Sequence, residues 1–256
     1  MLLPGRKAVV TGGNSGIGRG IALKLAEEGA DLACCYLSGG EEAREVANHV
    51  QNSGRRAIAI QADLRDSDSL RAMMNGAIEE LGGVDILVNN AGIARFAPFL
   101  EMSQQDWDDV INTNLRAAFL CSQIAAREMA KQHYGRIIHI SSTFSEVSVP
   151  DVSSYCSSKG GLVMLAKAMA VELGPLGITV NCVGPSTIRT NINADLLDRD
   201  NMAAREAALN PTRRIGQPED IAAMVAFLAS EQASWINGQN IMVDGGLTAM
   251  SPQPAY

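Results

Sequence analysis

The chain is predicted to fold as a single α/β domain, a doubly wound parallel sheet with helices on both faces. Three observations carry this. Short apolar runs at 7–11, 32–36, 57–61, 84–88, 136–141, 178–183 and 240–243 alternate from end to end with longer helix-like stretches, the pattern of repeated βαβ units. The runs lack polar alternation, so each strand needs cover on both faces, as strands of parallel sheets do. The 256 residues show no repeat, linker or composition break, which suits one large domain with a substantial core.

The first run, Lys7-Ala-Val-Val-Thr11, leads into Gly12-Gly13-Asn14-Ser15-Gly16-Ile17-Gly18, and Ile21, Leu23, Leu25 and Ala26 continue as a helix that stops at Gly29. Strand, glycine turn and helix form the setting in which backbone approaches a pyrophosphate and a helix N-terminus offers free N–H groups to it. Gly18 is expected to let that helix pack tightly on the sheet. The spacing is GxxxGxG, not GxGxxG. The second run ends at Tyr36-Leu37-Ser38, with neither a carboxylate for a ribose hydroxyl nor an arginine for a 2′-phosphate. Cofactor preference between NAD and NADP stays open, with a slight lean to NADP because nothing negative repels the phosphate. The third run ends at Asp63-Leu64, placed for an adenine edge. The fourth is followed by Asn89-Asn90-Ala91-Gly92, small and amide residues where open α/β sheets bind ligands.

A long helix is expected from about 103 to 131, with Ser103 as N-cap and Asn114 interrupting its apolar pattern. Ser141 and Ser142 close the fifth run. A helix over about 153–173 carries Tyr155 and Lys159 in its first turns, on one face at i, i+4. A phenol titrates near ~10 and a neighbouring Lys⁺ lowers that value, so the pair suits proton exchange with an oxygen held by Ser142, thirteen residues upstream. Residues 187–215 are polar, partly helical and resemble a lid, and Pro218 opens a last amphipathic helix.

Composition narrows the function. A net charge of −7 argues against a nucleic-acid footprint. Five cysteines without CxxC or Cys/His spacing fit a reduced compartment, and three scattered histidines suggest no metal site. The N-terminus runs straight into a strand with no signal-like apolar region, and no apolar stretch approaches the ~20 residues of a membrane span. The expectation is a cytoplasmic protein.

With these pieces in order, the chain resembles the short-chain dehydrogenase/reductase family over essentially its whole length. The resemblance rests on Thr11-Gly12-x-x-x-Gly16-x-Gly18, Asp63, Asn89-Asn90-Ala91-Gly92, Asn114, Ser142, Tyr155-x-x-x-Lys159 and the Pro185-to-Thr190 segment. It implies NAD(P)-dependent oxidation of an alcohol or reduction of a carbonyl, a Rossmann-type seven-stranded sheet and, usually, a homotetramer. It implies a cofactor set of Gly12, Asn14, Ser15, Gly16, Ile17, Gly18, Tyr36, Ser38, Asp63, Leu64, Asn90, Ala91, Gly92, Tyr155, Lys159, Pro185, Ile188 and Thr190. Ser142 would bind the substrate oxygen, Tyr155 would exchange its proton, Lys159 would lower the tyrosine pKa and grip the nicotinamide ribose, and Asn114 would hold a water beside Lys159.

Within the family, Gly184-Pro185, Thr190-Asn191-Ile192-Asn193-Ala194-Asp195-Leu196 and Gly216-Gln217-Pro218-Glu219-Asp220-Ile221-Ala222 are similar to bacterial sugar 1-dehydrogenases of the glucose and L-rhamnose type. That implies oxidation of an aldose at C1 to its lactone, with Asn191 and Asn193 as candidate ligands of sugar hydroxyls beside Ser142 and Tyr155. The alternative is a ketoreductase of the 3-oxoacyl-carrier-protein type, for which Arg95, Arg189, Arg213 and Arg214 could form a basic docking patch. A non-catalytic dinucleotide sensor is the alternative of another class; the intact Ser/Tyr/Lys/Asn set speaks against it. Two departures stand out: Ser186 follows Pro185 where the family usually has Gly, and residue 15 is Ser where many NADP-preferring relatives carry a basic side chain.

Overall fold

The computed structural model describes residues 1–190 and 193–250. Its strands are β1 (Lys7–Thr11), β2 (Asp31–Tyr36), β3 (Ala57–Gln61), β4 (Ile86–Asn89), β5 (Gly135–Ile140), β6 (Ile178–Pro185) and β7 (Asn240–Val243). They form one sheet in the order β3-β2-β1-β4-β5-β6-β7, with every neighbouring pair parallel. After β3 the chain crosses back to place β4 beside β1, with Val9 in register with both Ala33 and Leu87. Strand order therefore reverses between β1 and β4, and the crevice beyond their C-terminal ends is where open α/β sheets take ligands.

Successive residues of a strand face opposite sides of the sheet, and here each side has its own core. Val10, Leu32 and Val88 pack under α1 (Gly16–Glu27), α2 (Gly40–Asn52) and α9 (Pro218–Leu228), meeting Ile21, Val46 and Val225. Val9, Leu87 and Ile137 pack on the other side under α3 (Ser67–Leu81), α5 (Ala117–Gln132) and α6 (Ser153–Leu173), meeting Leu70, Met73 and Met129. Two covered faces explain why the strand sequences carry no polar alternation. Among the described residues no helix is long and apolar enough to cross a membrane.

The expected helix over 103–131 is not uniform. Ser103 caps it as predicted, its Oγ accepting from Asp106 N at 3.0 Å. The chain then runs as α4 (Gln104–Ile111), a π turn over Asn112–Arg116, and α5. The π turn holds one residue more per turn than an α-helix, and Asn114 sits in it, buried at 2% exposure. The lid candidate carries two short helices, α7 (Ala194–Leu197) and α8 (Met202–Leu209). Pro218 opens α9 as expected, with a reciprocal capping box between Gln217 and Asp220.

Buried and half-buried ion pairs gather at the opposite, N-terminal edge of the sheet. Asp31 accepts from Arg56 Nε at 2.8 Å and from Arg55 Nη2 at 2.9 Å, and the buried Arg136 reaches Glu231 at 3.2 Å.

Candidate active site

The glycine loop is shaped by contacts that tolerate no side chain. Gly12 has φ +62°, in the left-handed region. A Cβ on Gly18 would lie 2.0 Å from the Gly12 carbonyl oxygen and 2.5 Å from Asn90 Nδ2. Gly18 thus lets α1 sit close to the ends of β1 and β4, the nearest atoms being the Gly12 carbonyl and the Asn90 amide. Asn90 Nδ2 donates to the carbonyls of Thr11 (2.9 Å) and Gly12 (3.1 Å), while Thr11 Oγ1 accepts from the backbone N–H of Asn90 and Ala91. Asn14 Nδ2 donates to the carbonyls of Ser38 and Gly39. The amide nitrogens of Asn14 and Asn90, both expected among the cofactor ligands, therefore brace the loop against β2 and β4. Ser15 is the N-cap of α1 and its side chain makes no capping bond, which leaves the positive end of that helix open to an anion.

A cleft of about 310 Å³ runs from this loop along the strand ends. Gly12, Asn14, Ser15, Tyr36, Ser38, Asp63, Leu64, Ala91 and Gly92 line it as expected, and Leu37, Arg65, Arg95 and Thr113 line it without having been anticipated. Asp63 is not a free carboxylate. Arg65 clamps it, Nη2 to Oδ2 at 2.6 Å, and that hydrogen bond holds its pKa below the usual value. Thr113 Oγ1 is buried with no hydrogen-bond partner among the described residues. A loop with no room for Cβ atoms, an open helix N-terminus and an orphaned hydroxyl along one cleft fit a dinucleotide.

Beyond Gly92 the cleft opens into a second cavity of about 820 Å³ that holds Ser142, Tyr155 and Lys159. Ser142, at the end of β5, accepts from Phe144 N at 3.1 Å and caps a short turn over Thr143–Ser145. Phe144 stands edge-on to the Tyr155 ring, centroids 6.3 Å apart. Lys159 is buried at 3% exposure; its Nζ donates to the Ile140 carbonyl at 2.7 Å and lies 5.5 Å from the Tyr155 ring centroid. Desolvation raises the Tyr155 pKa, a hydrogen bond from Ser142 countering part of the rise. Burial lowers Lys159 to about 8. The expectation that Lys159 depresses the tyrosine is therefore corrected. Desolvation disfavours phenolate and ammonium alike, and the ammonium is directed at a carbonyl rather than at the phenol oxygen. His139, beneath the site, is buried and drawn down to about 4 by desolvation and by Lys159, so it adds no second cation at neutral pH.

Asn114 is held by three hydrogen bonds within the protein. Its Oδ1 accepts from Ile93 N at 2.8 Å, and its Nδ2 donates to the Ile93 carbonyl (2.9 Å) and to Ser158 Oγ (3.0 Å). Both amide hydrogens are occupied by protein, so the residue first of all fastens the loop after β4 to α6. It still flanks the lysine: a Cβ on Gly92 would lie 3.3 Å from Asn114 Oδ1 and 3.5 Å from Lys159 Nζ.

The segment after β6 closes the site from the other side. Pro185 lines the cavity together with Ile17 and Asn90. Ser186 donates to the Asp244 carbonyl at 3.4 Å, so the departure from glycine ties this loop to the turn after β7. Ile188 is buried and bridges to Gly216, and Thr190 packs against Gly16, where a Cβ would meet its Cγ2 at 3.2 Å. Asn193, expected to bind substrate, is occupied locally. Its Oδ1 accepts from Thr190 N at 2.8 Å and its Nδ2 donates to the Ile188 carbonyl at 2.9 Å. Asn191 lies outside the described residues. The outer wall instead comes from Phe96, Phe144, Val147, Val149, Leu209 and Met250, with Glu206 beside them. None belongs to a motif; the available signal was that they follow strand ends or lie within residues 187–215.

This fold, with a dinucleotide-shaped cleft at the switch point and a Ser/Tyr/Lys cavity beside it, is that of the NAD(P)-dependent oxidoreductases. The chain belongs to the short-chain dehydrogenase/reductase family: the family model described as enoyl-(acyl carrier protein) reductase matches residues 12–248. The chain is similar to the 3-oxoacyl-[acyl-carrier-protein] reductase FabG of Staphylococcus aureus, at 43% identity over 244 residues, 94% of this chain and 98% of that protein. Among solved structures it is similar to acetoin dehydrogenase YohF from Salmonella typhimurium, with TM-score 0.90, 39% identity and 98% of each chain covered. A short chain dehydrogenase from Burkholderia cenocepacia J2315 in complex with NADP gives TM-score 0.90 and 38% identity over 97% of this chain and 100% of that one.

Proposed function

We propose that this enzyme interconverts a ketone and its secondary alcohol at the expense of a nicotinamide dinucleotide, with a substrate whose arms are largely apolar. The observation behind this is the outer lining of the cavity: two phenylalanines, two valines, a leucine and a methionine surround the Ser142/Tyr155 end. An aldose presents hydroxyls around its whole ring, and buried hydroxyls need partners. The aldose reading rests on sequence similarity of the C-terminal segments, and of its two candidate hydroxyl ligands, Asn191 and Asn193, the second bonds to Thr190 and Ile188. A 3-oxoacyl thioester is the second reading, favoured by the 43% identity to FabG. Its proposed docking patch is weakened by the ion pairs of Arg95 with Asp106, Arg189 with Asp198 and Arg214 with Asp220.

In this proposal the pyrophosphate lies on the N-terminus of α1, the adenosine in the cleft by Tyr36, Ser38, Asp63 and Leu64, and the nicotinamide between Gly92, Ile17 and the Pro185–Thr190 segment. Bound there, the nicotinamide supplies or accepts the hydride. Ser142 hydrogen-bonds the substrate oxygen, Tyr155 gives or takes its proton, and Lys159 holds the ribose. The segment 187–215 serves as the lid. The cofactor lean stays toward NADP, since Tyr36-Leu37-Ser38 places no carboxylate at the end of β2.

The reading is tested by following absorbance at 340 nm with NADH and NADPH over linear ketones and 3-oxoacyl thioesters, and with the oxidised cofactors over aldoses. Ketone reduction exceeding aldose oxidation is the expected result; the reverse order refutes the proposal. A pH dependence follows from the raised phenol. Oxidation requires phenolate, so its kcat/KM is expected to climb from pH ~7 toward ~10, whereas reduction uses the protonated form and is already active at neutral pH. An oxidation rate flat across that range would remove Tyr155 from the proton step.

A further inference from the structure

The cavity is electrically lopsided. Among the described residues, Lys159 at its inner end and Glu206 on α8 are the two charged side chains that line it, and the proposed chemistry uses only the first. Thr187 Oγ1 donates to Glu206 Oε2 at 2.7 Å, fixing the carboxylate in place. Among the described residues, Oε1 accepts no hydrogen bond and no Lys, Arg or His nitrogen lies within 4.0 Å of this carboxylate. Three guanidiniums of the surrounding segment are engaged elsewhere, Arg189 with Asp198, Arg214 with Asp220 and Arg213 with the Ala208 carbonyl. The hydroxyls on the same wall are turned away as well. Ser186 donates to the Asp244 carbonyl and Thr248 Oγ1 donates to Asp244 Oδ2 at 2.6 Å. What remains at the outer end is a half-buried acceptor with a full negative charge, framed by Leu209 and Met250.

A carboxylate accepts and cannot donate, and a cavity wall with a fixed unpaired charge discriminates by sign as well as by hydrogen bonding. We infer that Glu206 sets substrate choice by favouring ketones whose far end carries a hydrogen-bond donor, a hydroxyl or an ammonium, and by disfavouring those that end in a carboxylate. The carbonyl then sits at Ser142 and Tyr155, an apolar stretch lies along Phe96 and Phe144, and the donor meets Oε1. This inference rests on the ketoreductase reading and narrows it.

The test uses four linear ketones of equal chain length ending in methyl, hydroxyl, ammonium or carboxylate, assayed with the intact enzyme and the preferred nicotinamide. Hydroxyl- or ammonium-ended ketone is expected to exceed the carboxylate-ended one in kcat/KM by tenfold or more, on the order of what one pocket contact contributes. The hydroxyl and ammonium arms separate donor recognition from charge recognition. In Glu206→Gln, which keeps an acceptor for Thr187 and removes the charge, the ratio of carboxylate-ended to methyl-ended kcat/KM should rise about tenfold. Equal rates on all four ketones in the unaltered enzyme, or an unchanged ratio in the variant, would overturn the role of Glu206 alone. An enzyme that reduces none of the four refutes the ketoreductase reading itself. The comparison within the unaltered enzyme stands even if the variant fails to fold.

Discussion

Tyr155→Phe is expected to lower kcat by about 10³-fold, within the usual range for loss of a positioned acid–base group, while the dissociation constant for NADPH stays within about threefold. The phenyl ring keeps the edge-on packing against Phe144, so the only loss is the hydroxyl beside Ser142. Steady-state rates at 340 nm and a fluorescence titration of the nucleotide separate the two effects. A variant that keeps more than a tenth of the rate would show that another group or water delivers the proton. A variant that also loses the nucleotide would show that the hydroxyl holds the cofactor rather than the substrate.

Gly18→Ala is the second large effect. Its Cβ would stand 2.0 Å from a backbone oxygen and 2.5 Å from Asn90 Nδ2, and neither can withdraw without dismantling the loop. Overpacking of this kind costs about 1–3 kcal/mol or more. For a domain of this size about 3 kcal/mol corresponds to a fall of about 6–12 °C in Tm. The thermal shift given by saturating NADPH should vanish as well, because the loop that would face the pyrophosphate has moved. Gly76→Ala is the matched control: it lies inside α3 with nothing within 4 Å of the added Cβ, and should raise stability by about 0.5–1 kcal/mol. Scanning calorimetry of both variants with and without NADPH decides the matter; equal Tm values for the two alanine variants would contradict the steric account.

The division between what could be read from the residues and what could not follows from the range of the interactions. Strand runs such as Val9-Val10 and Leu87-Val88 announce buried parallel strands because both faces must be covered, and that constraint is local in sequence. The glycine turn, Ser142, Tyr155 and Lys159 are legible because the turn chemistry and the i, i+4 spacing are local too. The pKa directions were not legible. Whether Tyr155 is lowered by a lysine or raised by burial depends on where Lys159 Nζ is aimed, and the Ile140 carbonyl that takes it lies nineteen residues away. The local bonds of Asn193 were hidden for the same reason, since an amide in a polar segment gives no sign that it holds Thr190 and Ile188. The cavity wall of Phe96, Val147 and Leu209 comes from three loops or helices with no shared pattern, and only the folded chain brings them to one place.

The π turn over Asn112–Arg116 makes the working site depend on a single residue of chain length. The turn absorbs one extra residue, so winding the same residues as ordinary α-helix at 3.6 residues per turn would swing α4 by about 100° about its axis relative to α5. Val110 would leave its buried position and the Asn114 amide would lose either Ile93 or Ser158. A regular helix that satisfied every i to i−4 backbone hydrogen bond over these residues would thereby unlatch the loop carrying Gly92 and Phe96, so in this region regularity and function are alternatives.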